Sequence, residues 1–138
     1  MPSFDPMYTR PCEIAGDDFF TGLFETALEP DEIITAVRFP KVAQANYQKF
    51  RNPASRYALV GVFVAKAAGG VRVAVTGAGP CAFRQKDMEA ALGKSWAASA
   101  LDGVKVSASG LNSDIHASAE YRAHLIGVMA KRAVAAAG

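Results

Sequence analysis

The sequence predicts an α+β fold, an antiparallel sheet of three to four strands followed by about three helices packed on one face. Three observations carry that expectation. Between residues 32 and 76 the runs 32–39 and 71–76 alternate with the period of two that marks strands, and a continuous β-rich apolar run, 57–67, lies between them. From residue 85 onward the period lengthens to that of a helix, and alanine and leucine displace the β-branched residues. The joints between strands are short and rich in glycine and proline, which favours hairpins over crossover helices and puts the helices together on one side.

Each element has its own justification. Residues 1–16 carry Pro2, Pro6 and Pro11 without periodicity and are expected to form an irregular N-terminal arm, with the domain proper running over 17–138. Asp17-Asp18-Phe19-Phe20-Thr21-Gly22 predicts one helical turn, capped by Asp17 or Asp18, pinned by the two phenylalanines and stopped by Gly22. Glu29-Pro30-Asp31 is a turn. Glu32 to Phe39 alternates, with Ile33, Thr35, Val37 and Phe39 on one side, and predicts a first strand that ends at Pro40. Asn46–Arg51 and Tyr57–Ala67 predict the next two strands, and Gly69-Gly70 turns the chain into a fourth, Val71–Thr76. Gln85–Leu92 predicts a short helix ended by Gly93, and Ser95–Leu101 another capped by Ser95. The long helix is expected over Ser118–Ala136, with Ser118 as cap and Glu120 in the first turn. Tyr121, Leu125, Val128, Met129 and Arg132 follow at helical spacing.

The strand 57–67 is apolar on both sides, Leu59, Phe63 and Ala65 against Val60, Val62 and Val64. Helices on one face of the sheet leave the other in water. A second domain or a second copy of the chain is therefore expected to cover it, so that the isolated chain forms a homodimer or associates non-specifically.

Composition narrows the function classes. With 138 residues, 51% of them hydrophobic and 20% charged, the chain is one globular domain able to bury its own core. Fifteen basic and thirteen acidic residues, scattered along the sequence, give a net charge of +2, which argues against nucleic acid or a membrane surface as partner. Cys12 and Cys81 are far apart in a chain without a secretory signal and are expected to stay reduced. Neither has metal-ligand spacing, and His116 and His124 stand apart from both, so no metal site is expected. No apolar run has bilayer-spanning length, and the expected setting is cytoplasmic.

Several motifs imitate known chemistry. Val73-Ala-Val-Thr-Gly-Ala-Gly-Pro-Cys-Ala82 has the look of a dinucleotide-binding turn, but Pro80 removes an amide and the strand before it belongs to a hairpin, so a plain glycine turn is the better account. Gly93-Lys94-Ser95 lacks the upstream glycine of a phosphate loop, where Met88 stands instead, and follows a helix. Ser113, Asp114 and His116 are too close in sequence to align as a hydrolase triad and are expected to form the capping turn of the last helix. Trp96 is expected to anchor the core or its edge, and His124 to be half-exposed.

The stretch Asn46-Tyr-Gln-Lys-Phe-Arg-Asn-Pro-Ala-Ser-Arg-Tyr-Ala-Leu-Val-Gly61 is different. It sets Tyr47, Lys49 and Arg51 on one strand face and crosses a Pro53 turn to Arg56 and Tyr57. Cations and phenol rings around one hairpin suit a flat anionic ligand. The competing account is a solvated strand face with cations laid along it.

Phe19-Phe-Thr-Gly-Leu-Phe-Glu-Thr-Ala-Leu-Glu-Pro-Asp-Glu-Ile-Ile-Thr-Ala-Val-Arg-Phe-Pro40 resembles the opening of the C-terminal domain of the FAD-binding (medium) subunit of molybdenum hydroxylases, the carbon monoxide dehydrogenase and xanthine dehydrogenase group. Tyr47-Gln-Lys-Phe-Arg, Ser55-Arg-Tyr-Ala58, Val71–Gly77, Glu89-Ala-Ala-Leu92, Ser118–Leu125 and Lys131-Arg-Ala133 continue it in order, so that it covers about residues 17–135. The resemblance implies an α+β sandwich packed beside the flavin of an electron-transfer complex that also holds a molybdopterin subunit and an iron–sulfur subunit. It implies that Tyr57 neighbours the isoalloxazine and that Lys49 and Arg56 are charged contacts, the cation favouring the reduced, anionic ring. No catalytic residue is implied. The family's glycine-rich flavin loops lie in an N-terminal domain, and nothing before residue 17 matches them. The chain is therefore expected to share FAD with a separate flavin domain, to bind it weakly or not at all alone, and to show no turnover. The alternative is an interaction module that has the fold without the flavin, and a stand-alone nucleotide-binding enzyme is a distant third.

Overall fold

The structure is a computed structural model and describes residues 12–137. Most of the expected N-terminal arm, residues 1–11, lies outside the described residues. A single helical turn, α1 (Gly16–Phe19), leads into a small hairpin of β1 (Phe20–Gly22) and β2 (Glu25–Thr26). The main sheet holds β3 (Val42–Arg51), β4 (Ala58–Ala67), β5 (Gly70–Thr76) and β6 (Phe83–Arg84), antiparallel throughout and in that spatial order. Helix α2 (Lys86–Lys94), a 3₁₀ turn (Ala98–Leu101) and helix α3 (Ala119–Ala136) follow.

Alternation decides which face is buried. Val60, Val62 and Val64 of β4 and Val71, Val73 and Val75 of β5 point to one side, and all six are buried there. Helix α3 lies over β3 and β4, and α2 packs on β5. Their Met88, Leu92, Leu125, Ile126 and Met129 close the core. Each fully buried aliphatic side chain of this size contributes roughly 1.5–3 kcal/mol. Ser118 caps α3 as expected, its hydroxyl accepting from the Tyr121 amide at 3.2 Å. Tyr121 meets Phe50 edge-on at 6.3 Å, and Asn46 donates to the Ala136 carbonyl at 3.3 Å, so both ends of α3 are tied to β3.

Four expectations differ from the structure. Residues 32–39 form no strand; they run extended and exposed, and the fourth strand of the sheet is Phe83–Arg84 instead. Alternation marks a segment able to bury one face, but a strand also needs a partner backbone, and none is in reach among the described residues. Helix α1 starts after Ala15 without a side-chain cap and passes directly into β1, so Gly22 does not stop it. Its Phe19 and Phe20 touch each other edge-on at 5.2 Å, and Phe20 remains half-exposed. Helix α2 runs through Gly93 to Lys94, and Ser95 closes it by donating to the Ala91 carbonyl. Having served that end, Ser95 does not cap the next element, which is only a 3₁₀ turn preceded by Ala97.

The second face of β4 is partly covered by the chain itself. Leu59, Gly61 and Ala65 are buried, while Phe63 is 41% and Tyr47 43% exposed.

Candidate functional site

The hairpin between β3 and β4 is held from inside by Asn52, one of two buried polar or charged residues among the described residues. Its amide donates to the Tyr57 carbonyl at 2.8 Å, and its carbonyl accepts from the Arg56 amide at 2.9 Å. Its Oδ1 accepts from the amides of Ala54 (2.9 Å) and Ser55 (3.3 Å), the side-chain turn that an Asn-Pro sequence favours. Ser55 Oγ accepts from the Tyr57 amide at 3.3 Å. Within this loop Arg56 takes the left-handed backbone conformation, φ 61°, uncommon for a non-glycine residue and consistent with a tightly determined turn.

The three residues singled out for ligand contact come together on this loop. Lys49 Nζ donates to the Arg56 carbonyl at 3.3 Å, so the lysine reaches from β3 across to the turn. The Arg56 side chain is exposed, and Tyr57 is 80% exposed. Arg51 follows a register shift at the end of β3 and is exposed as well. Tyr47 lies one alternation below Lys49 on the same face, flat across β4. Its hydroxyl and that of Thr76 are 3.2 Å apart, with Gly61 beneath. A Cβ at Gly61 would stand 2.1 Å from the Tyr47 hydroxyl, so the ring can lie there only over glycine. The result is an exposed aromatic and cationic edge on a backbone fixed by hydrogen bonds. It can take the flat face of a ring and an adjacent negative charge.

Sequence reasoning missed the support beneath the loop. Arg122 of α3 is 3% exposed. Its Nη1 donates to the carbonyls of Leu59 (2.6 Å) and Gly77 (3.1 Å), and its Nη2 to Asp114 Oδ2 at 2.7 Å. The first strand residues after Tyr57 are thereby tied to the end of β5. At Gly77, φ 77°, an added Cβ would lie 2.3 Å from the Ala58 carbonyl, so the two strand ends approach as closely as the backbones permit. The only signal for Arg122 was its place among α3 core positions, where a cation ordinarily reads as solvated. The turn itself was expected at Pro53, but Asn52 and Ser55, which hold it, were not singled out.

The imitated motifs fall where local structure needs them. Asp114 Oδ1 accepts from the His116 and Ala117 amides at 2.9 and 3.1 Å, forming the turn before α3. The His116 amide, with the Ala117 amide and the Arg122 guanidinium, holds the Asp114 carboxyl below the usual carboxylate range. Gly77–Pro80 is a bend, with Asn112 Nδ2 donating to the Gly79 carbonyl at 2.9 Å. Trp96 is half-buried under Lys66, whose Nζ is 5.9 Å from the ring centroid, and His124 is exposed. Cys12 and Cys81 are free thiols. Among the described residues no group of three or more His, Cys, Asp or Glu could hold a metal ion, and no helix is long and apolar enough to cross a membrane.

A family model described as CO dehydrogenase flavoprotein C-terminal domain matches residues 45–137. The carbon monoxide dehydrogenase medium chain of Hydrogenophaga pseudoflava is 29% identical over 136 residues, taking in 90% of this chain and 47% of that protein. The nicotine 6-hydroxylase medium subunit of Paenarthrobacter nicotinovorans is 34% identical over 135 residues, 91% of this chain and 48% of its own length. Among solved structures, CO dehydrogenase from Oligotropha carboxidovorans superposes with a TM-score of 0.73 at 26% identity, again over 90% of this chain and 48% of the other. These matches define a class, the flavoprotein C-terminal domains of molybdenum hydroxylase medium subunits. The chain belongs to the CO dehydrogenase flavoprotein C-terminal domain family. It spans about half the length of the curated relatives it matches.

Proposed function

We propose that the loop 52–58, with the adjoining end of β3, forms one wall of an FAD site in an electron-transfer complex of the molybdenum hydroxylase kind. Tyr57 stands beside the isoalloxazine, and Lys49 and Arg56 are the charged contacts. The observation that carries this reading is an 80% exposed Tyr57 on a loop pinned by Asn52, in a domain of a flavoprotein family. An aromatic ring left in water on a rigid loop has its ordering cost already met before any ligand arrives.

Bound FAD supplies the acceptance and release of electrons. The residues of this chain bind and orient around it. The Tyr57 ring covers a flat apolar surface and keeps water from it. Lys49, braced on the Arg56 carbonyl, and Arg56 itself lay positive charge along that surface and favour its more negative state. The pyrophosphate falls to another polypeptide segment, since the glycines of 77–79 are engaged in the strand-end approach and the Asn112 contact. The flavin domain, the molybdopterin subunit and the iron–sulfur subunit are the partners this reading requires.

FAD fluorescence titration tests it. Little quenching is expected with this chain alone, and strong quenching when the flavin domain is supplied in trans. In the complete subunit, Tyr57→Ala is expected to shift the flavin potential and the reoxidation rate. Unchanged potential and rate would remove Tyr57 from the site. Absence of quenching in both arms would favour an interaction module that keeps the fold without the flavin.

A further inference from the structure

Residues 32–39 are exposed and belong to no sheet. Ile33, Val37 and Phe39 share one side of the alternating run and are 80%, 64% and 82% exposed, and Ile34 on the other side is 53% exposed. Between residues 33 and 41 the backbone makes no hydrogen bond to another described residue's backbone. A strand-patterned, apolar segment with free amides and carbonyls is a template for pairing. Its own sheet cannot serve it by the shortest route. Only Pro40 and Lys41 separate Phe39 from β3, and a two-residue hairpin needs a positive φ at its first position, whereas proline holds φ near −65°.

We propose that residues 32–39 add as an edge strand to a sheet of the flavin-bearing polypeptide that adjoins this domain, with Ile33, Val37 and Phe39 turned into that partner's core. The inference rests on the proposed flavin role for the choice of partner. Two facts favour this occupant over a second copy of the chain. The family model begins at residue 45, so the segment lies upstream of the shared domain. The curated relatives nevertheless match over 90% and 91% of this chain, so their similarity extends well upstream of that point, and about half of each relative remains uncovered. The segment thus accompanies the domain in proteins that carry a further body of similar size. Eight residues in extended form reach about 26 Å, enough to pair along a whole strand. Pro40 then ends the added strand and hands the chain back to β3.

The test is amide hydrogen exchange on the full chain mixed with the uncovered part of the Hydrogenophaga pseudoflava medium chain, expressed separately and supplied with FAD. Amides 33–39 are expected to exchange at least about tenfold more slowly in the complex, while those of β4 and β5 are unchanged. Val37→Pro is expected to weaken the complex at least about tenfold without altering the thermal unfolding of this chain, because residue 37 pairs with nothing within it. A complex in which amides 33–39 still exchange fast overturns the inference, and so does no complex at all. Protection that appears on raising the concentration of this chain alone also overturns it, in favour of a second copy. FAD fluorescence read in the same titration separates the two ideas. Protection with a flavin signal indifferent to Tyr57→Ala leaves the strand standing and removes the flavin wall.

Discussion

Arg122 is the side chain on which the hairpin end of the sheet most depends. A guanidinium at 3% exposure is tolerable only because Leu59, Gly77 and Asp114 receive its protons, and even so its Nε finds no partner among the described residues. Replacing it by methionine keeps the aliphatic stem but takes this donor from the buried Leu59 carbonyl, the Gly77 carbonyl and Asp114 Oδ2. Arg122→Met is therefore expected to cost about 3 kcal/mol in chemical denaturation. A loss under about 1 kcal/mol would mean that water reaches those carbonyls. The residue was illegible in sequence because the two carbonyls that it serves lie 45 and 63 positions away, whereas Lys49, Arg56 and Tyr57 were legible because one short hairpin carries them all. The same locality made Asp114 and His116 readable as a turn.

At the scale of elements, the edge of the sheet is completed by a side chain. Strand β6 is two residues long and pairs only with Ala74 and Val75. Beyond it, the Gln85 amide donates to the Val73 carbonyl, and the Val73 amide donates to Glu89 Oε1 at 2.9 Å. Arg84 clamps the same carboxylate with Nε and Nη2, at 2.8 and 2.6 Å, and also meets Asp17. Burial pushes the Glu89 carboxyl up, but the Arg84 hydrogen bonds, the Val73 amide and the nearby positive charge outweigh it and hold it below its ordinary value. A depressed folded-state value contributes stability that is present above the unfolded value of about 4.3 and is lost as pH falls through the folded one. The melting temperature should thus be level near neutrality and fall with acid below about pH 4.3. Glu89→Gln should cost about 1–3 kcal/mol at pH 7 and make the acid slope shallower. An unchanged slope would exclude Glu89 as its source. So short a strand gave no periodic signal, and the helix-borne carboxylate that extends it lies outside any strand pattern. The alternation at 32–39 did not become a strand, because alternation alone supplies no partner backbone.

At the scale of the molecule, one body holds β3 to α3, and the segment before it is loosely attached. The contacts that join the two include the Arg84–Asp17 pair and a long Cys81 Sγ contact to the Phe20 carbonyl at 4.0 Å. An exposed ion pair of that kind is worth about 0–1 kcal/mol. A chain beginning at residue 42 is therefore expected to unfold cooperatively and within about 1 kcal/mol of the full chain. Loss of the cooperative transition would show that the upstream hairpin is integral to the core.

The amino-acid sequence by itself determined the class of fold, the central strands, the long helix with its Ser118 cap, and the residues that crowd the 52–58 loop. Those features depend on periodicity and turn chemistry, which act between neighbours along the chain. Only the tertiary structure decided that Arg122 is buried, that Tyr47 lies over Gly61, that Glu89 finishes a sheet edge and that 32–39 finds no partner in its own sheet. Each of these turns on whether a distant backbone is in reach, and local sequence carries no measure of that distance.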